Sequence, residues 1–210
     1  MRCLLFWLMI TLAPAAGAQD RSGEFDYYVM SLSWSPNWCS RTGDARGSPQ
    51  CDPGKGHGWI LHGLWPQYER GYPEYCKTAE RQPSRRMTSE MADIMGTSGL
   101  AWHQWKKHGT CSGLSAAGYY ALSRDAYGTV TRPAVFRKLN KAVRLPASVV
   151  EEAFLRDNPG LSADMITITC KQDQIQEARI CLDRDLAPRR CGPDVLRDCS
   201  SPSAFFDAIR

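Results

Sequence analysis

Apolar, aromatic and β-branched residues crowd into FDYYVMSLSW (25–34), and this run predicts a core strand. Residues 35–56 carry many Pro, Gly, Ser, Asp and Asn and read as a loop. WILHGLW (59–65) is a second apolar strand with one histidine, His62, in its middle. Residues 66–86 are polar and Pro-rich, and the pattern then turns helical. Helices are expected over about 88–95, over about 99–108 with Gly109 as a C′ glycine, over 115–127, and over 133–143 with Pro133 in an N1-like place. SVVEEAFLR (148–156) opens with Ser148 and Glu151, a capping-box pair, and stops before Asn158-Pro159-Gly160. MITITC (165–170) and ARICLD (178–183) read as the two strands of a hairpin. Strands and helices mix without regular βαβ alternation, so the expected class is α+β.

The first 18 residues stand apart from this pattern. Arg2 is followed by a mostly apolar stretch from Cys3 to Leu12, and Ala16-Gly17-Ala18 reads as an A-x-A cleavage site. We read 1–18 as a secretory signal peptide, its apolar run being too short for a membrane span, and 19–210 as one catalytic domain beginning near Gln19. A hydrophobic content of 43% with 23% charged residues excludes a disordered chain. Without Cys3, eight of the nine cysteines remain, an even number that implies disulfides in an exported protein. Their spacing alone leaves the connectivity open, and no CxxC points to a zinc ribbon or a thioredoxin-type site. The net charge of +4 is too mild for a tight nucleic-acid binder with a dense basic face. It tolerates a polyanionic substrate.

The chemistry concentrates in HQWKKHGTC (103–111), which holds two of the four histidines. On a helix at about 100° per residue, His103, Lys107, Gln104 and His108 share one face within about 140°. Trp105 and Trp102 fall on the other side, where Trp105 can bury and fix the helix, while Lys106 is expected to be solvated. The plain alternative is an amphipathic helix with a charged outer face. Metal binding fits poorly: the histidines are five residues apart rather than four, and Lys107 would repel a cation. A phosphate suits the set, because a lysine and imidazoles donate to anionic oxygens. His62 alone reads as a core histidine. Together with His103 and His108, it supplies a second imidazole for acid–base work around one phosphorus.

These two blocks, LHGLWPQ (61–67) and HQWKKHGTC (103–111), about forty residues apart, resemble the signatures of the ribonuclease T(2) family. YYVMSLSWSPNWC near the start and NPGLSADMITITCK…EARICLD near the end also look like family text. The resemblance implies an α+β fold with a central antiparallel sheet and surrounding helices, stapled by disulfides. It implies metal-independent, cofactor-free endonucleolytic cleavage of RNA with low base specificity. Carried over by position, His108 is the general base toward the 2′-OH and His62 the general acid toward the 5′-oxygen. Lys107 stabilises the phosphorane and His103 helps to hold the phosphate. Trp65 and Gln67 become candidate base contacts; for Trp65, plain core packing is the alternative. The implied disulfides are Cys39–Cys51, Cys76–Cys111, Cys170–Cys199 and Cys181–Cys191.

Gln104 departs from the family pattern, which has Glu there. An amide still donates to a phosphorane oxygen, but it cannot ionise or tune a neighbouring imidazole, so the rate and pH optimum are expected to differ. The rival reading is a catalytically weakened relative that binds RNA or a protein. The expected setting is the periplasm or cell exterior, with RNA as substrate, no DNA cleavage, no membrane contact, and a monomer. His57, in a Gly-rich loop, reads as an exposed bystander, and Arg81, Arg85 and Arg86 as a solvated basic cluster.

Overall fold

The computed structural model describes residues 20–210. The segment read as a signal peptide lies outside them. The strands are β1 (Tyr27–Trp34), β2 (Trp59–Gln67), β3 (Val143–Leu145), β4 (Ile166–Lys171), β5 (Gln174–Leu182) and β6 (Ala204–Phe206). The helices are α1 (Ser35–Trp38), α2 (Arg85–Glu90), α3 (Ala92–Met95), α4 (Ser98–Lys107), α5 (Ala116–Thr129), α6 (Ala134–Arg137) and α7 (Ala147–Asp157). One sheet holds all six strands. β1 pairs antiparallel with β2 on one side and β5 on the other, and β4 pairs antiparallel with β5. A single parallel contact, Gln174 with Phe205, joins β6 to β5, and β3 pairs with β6.

Strand alternation divides the sheet into two faces. Tyr28, Met30, Leu32 and Trp34 of β1 enter the main core with Leu61, Leu64, Ile168, Ile180 and the buried sides of the helices. Tyr27 and Val29 enter a smaller cluster with Cys181, Cys191 and Val195. Ser31 and Ser33 follow on that second face, opposite Arg179 and Glu177 of β5. Two small side chains on the middle strand leave room above it, which matters for the site described below. The disulfides join Cys39 to Cys51, Cys76 to Cys111, Cys170 to Cys199 and Cys181 to Cys191.

Several local expectations are corrected. The helix expected over 133–143 stops at Arg137, and Val143–Leu145 is instead drawn into the sheet by pairing with Phe206–Ala204, a long-range partner that no local periodicity reveals. Gly109 is not a left-handed C′ residue: it opens a short 3-10 turn, Gly109–Cys111. A Cβ there would overlap the rings of Trp105 and Tyr119, so close packing explains the glycine. Ser148 does not cap α7, which starts at Ala147 after Pro146 with no side-chain cap. The region 88–95 breaks into α2 and α3 about Met91. β5 begins at Gln174, four residues before the expected Ala178, because Gln172 and Asp173 both take positive φ and close a tight two-residue turn. His57 is half-buried rather than exposed.

Candidate active site

His62 owes its neighbour Trp65 to an irregularity in β2. Ser31 faces Gly63 and Leu32 faces Leu61, so His62 is the extra residue of a β-bulge. Alternation from Trp59 and Leu61, which enter the core, puts Ile60 and His62 on the face that carries Ser31 and Ser33. The bulge then keeps Gly63 and Trp65 on that same face, so His62 and Trp65 stand side by side. There His62 Nδ1 reaches Glu177 Oε1 at 2.6 Å. Two strand spacings, about 9.6 Å, separate β2 from β5, and the reach is possible because only serines stand between.

Glu177 is 1% exposed, and its other oxygen, Oε2, accepts Arg179 Nε and Nη2 at 2.9 and 2.7 Å. Burial alone would raise this carboxyl. The hydrogen bond and charge of His62, with Arg179, outweigh burial and hold it at about 2. The carboxylate therefore accepts from Nδ1, which leaves Nε2 as the ring atom that faces other chemistry. Glu177 lies one residue before the expected strand ARICLD (178–183), and Arg179 inside it; neither stands out as a site residue from local pattern. The one signal is in QIQEARICL: two charged residues at alternate positions, facing away from Ile175, Ala178 and Ile180 toward one side of the strand.

The opposite wall is the end of α4, which Thr97 caps by accepting Leu100 N–H at 3.1 Å. Trp105 is fully buried and fixes the helix, Trp102 and Lys106 are exposed, and Gln104, Lys107 and His108 turn toward the cleft. His108 follows the last helical residue, and its N–H still bonds Gln104 C=O at 2.9 Å. It is 5% exposed, and Nδ1 has no partner among the described residues. Burial first, then the charges of Lys107, His62 and His103, lower its pKa to about 3. Shallow burial and Lys107 also push His103, on the outer rim, below the usual imidazole value.

Trp65 spaces the two histidines. Its ring centroid lies 5.3 Å from that of His62, edge-on, and 5.2 Å from that of His108, stacked. Its indole N–H donates to Gln104 Oε1 at 2.7 Å. An indole nitrogen only donates, so this bond orients the amide and leaves Gln104 Nε2 with N–H groups to give. Gly63 makes the arrangement possible, since a Cβ there would overlap both Gln104 Oε1 and Trp65 Nε1. Gln67 is buried, and its Nε2 is spent on Pro66 C=O at 2.9 Å. Lys107 Nζ is held 3.1 Å from Glu74 Oε2. The Glu74 loop is fixed there by Tyr75 N–H on Lys107 C=O at 2.8 Å and by the neighbouring Cys76–Cys111 bond.

His62, His103, Gln104, Lys107, His108 and Trp65 thus line one cleft of about 370 Å³. Three imidazoles, a lysine and an amide donor converge on one space. Such a set can move protons on either side of an anionic centre while donating to its oxygens.

A ribonuclease of Aeromonas hydrophila is 43% identical over 129 residues, which make up 60% of this chain and 57% of that protein. The chain spans about half the length of the curated relatives it matches. Among solved structures, an RNase-related protein from Calystegia sepium superposes with a TM-score of 0.67 at 18% identity, covering 89% of this chain and 98% of that one. RNase NT in complex with 5′-AMP gives 0.63 at 19% identity, with the same coverage. These two show a shared fold. The family model of the ribonuclease T2 family matches residues 25–191, and with both signature blocks lining one cleft, this chain belongs to the ribonuclease T2 family.

Proposed function

We propose that this chain is a metal-independent endoribonuclease that cleaves single-stranded RNA with low base specificity. The observation that carries the reading is the pair of histidines, His62 backed by Glu177 and His108 buried, held either side of Trp65 in one cleft. His108, kept neutral by burial, takes the proton from the 2′-OH. The oxygen attacks its own phosphorus, and the intramolecular attack carries a large entropic advantage. Protonated His62 gives the Nε2 proton to the departing 5′-oxygen, with Glu177 as charge partner behind the ring. Lys107, Gln104 Nε2 and His103 donate to the non-bridging oxygens. Lys107 does so in exchange for Glu74. The first product is a 2′,3′-cyclic phosphate. Water then opens it to a 3′-phosphate with the two histidines exchanging roles.

In this reading, Trp65 positions the imidazoles and leaves its part-exposed edge to a base, while Gln67 keeps Oε1 as its one free acceptor. DNA lacks the 2′-OH and is inert. Four disulfides support an exported protein working in an oxidising compartment, periplasmic or extracellular, as a monomer. No helix among the described residues is long and apolar enough to cross a membrane.

The test uses oxidised protein, EDTA, and dinucleoside monophosphates beside their 2′-deoxy counterparts, with products separated by chromatography. Cyclic phosphate from the ribo substrates alone, absent with His62→Phe, is the expected result. A folded protein with no cleavage between about pH 3 and 9 would replace this reading with that of an RNA- or protein-binding relative. Loss of activity in EDTA would replace it with a metal hydrolase.

A further inference from the structure

A second cleft, of about 500 Å³, opens beyond His62 and His103. It shares His62, His103, Gln176 and Glu177 with the first, so the two form a continuous trough. Gln176 projects into both because it is itself the extra residue of a bulge: Thr169 faces Glu177 while Cys170 faces Ile175.

The second cleft differs from the first in its charge. Arg41, Arg46 and Lys171 line it, and none of the three has an acidic partner among the described residues. The neighbouring acids are already committed. Asp44 holds Arg210 at 2.7 Å, and Glu177 is shared by His62 and Arg179. Arg41 is part-buried, and its Nη1 is buried with no hydrogen-bond partner. Glu177 is the acid that lines this cleft, and it is already shared by two partners, so three cations face one space with little counter-charge, and an anion placed among them would be held by all three. Arginine in particular matches the fork of a phosphate.

Polarity of the bound strand follows from the roles of the histidines. The 5′-oxygen leaves on the His62 side, so the departing nucleotide runs from His62 into the second cleft. Lys171 pairs with Gln174, three residues or about 10 Å along β5 from Glu177. We propose that Arg41, Arg46 and Lys171 form an anion subsite for the phosphate immediately 3′ of the departing nucleotide. The protein then prefers oligoribonucleotides to dinucleoside monophosphates. This rests on the endoribonuclease reading above for its direction, but the subsite can be tested without catalysis.

Two chimeric substrates carry one ribonucleotide at the cleaved position: a dinucleotide with a single phosphodiester, and a trinucleotide with one further deoxynucleotide. A third replaces the added phosphodiester by an uncharged methylphosphonate. The expected gain in kcat/KM from the charged extension is about tenfold, the scale of one charge-assisted contact. It falls to about one with the methylphosphonate and in R46Q/K171Q, which changes only exposed residues. It survives in K138Q/K141Q, which removes the same charge outside the cleft. The matching all-deoxy ligands, followed by intrinsic tryptophan fluorescence, give the same ratios as affinities. A gain that persists without the charge, or that K138Q/K141Q abolishes equally, overturns the subsite. Subsite binding without any cleavage overturns the catalytic reading alone.

Discussion

His62 Nδ1 and Glu177 Oε1 are 2.6 Å apart although their strands are not neighbours. The contact spans β1 because Ser31 and Ser33 are small and because His62 follows Ile60 on their face of the sheet. The sequence lacks a carboxylate at position 104, yet the fold brings Glu177 to the cleft, 115 residues beyond His62, the histidine it holds.

Replacing Glu177 by Gln keeps the shape and removes the charge. We expect kcat/KM to fall on the order of 10²-fold, mostly in kcat, as general-acid function is impaired. Linkage gives a second readout. The carboxyl sits at about 2 in the folded chain against an ordinary 4.5, so its stabilisation is fully present above pH 4.5 and is lost as pH falls through about 2. Denaturant unfolding should therefore show the gap between parent and variant narrowing across that window. Equal kinetics with a constant gap would sink this role.

His108 predicts an acid-tolerant enzyme. With its folded value at about 3, His108 stays neutral well below the usual imidazole range, and with His108 as the proposed base the acid limb of kcat/KM should lie near pH 3 rather than 6.5. The same depression costs stability in acid. The unfolded chain protonates this ring from pH 6.5 downward, so stability falls by about 1.4 kcal/mol per pH unit between 6.5 and 3. A His108→Asn chain should lack that slope, and an unchanged slope would place the cause elsewhere.

Gln104→Glu places a charge one helical turn before His108, where Trp65 N–H would still be accepted. A carboxylate there favours the protonated ring, so the acid limb should move to higher pH. An unmoved pH–rate profile would show that the amide at this position does not set the optimum.

Gly63→Ala should break the Trp65–Gln104 bond, since the added methyl overlaps both partners. Overpacking of this kind costs about 1–3 kcal/mol. Calorimetry and tryptophan fluorescence should report a lowered melting temperature with altered indole emission, and kcat should fall as the histidines lose their spacer. A native-like variant would mean that the strand yields without disturbing the cleft.

Glu74→Gln should release Lys107. The pair is part-exposed, so the change is modest, and inorganic phosphate should inhibit about two- to fivefold more tightly at low ionic strength. The difference should vanish in high salt. Weaker inhibition would make Glu74 a positioning contact for Lys107 rather than a competitor.

Much of this arrangement was legible along the chain, because it is set by neighbours in sequence. Strands around 25–34 and 59–65, the helix through 103–107 and the split of its faces follow from apolar periodicity, and the two signature blocks carry the histidines within them. What only the tertiary structure decided depends on residues far apart. Strand period cannot say where a bulge falls, so it does not show that His62 and Trp65 share one face. The span 133–143 reads as helix until the C-terminal strand claims its end. Glu177 reads as one more polar residue until two serines let it meet an imidazole. Eight cysteines leave many pairings until folding brings four pairs within bonding distance. Local propensity acts over a few residues, whereas a site is a convergence of several elements, and its charges and pKa values arise only when burial and long-range contacts are made.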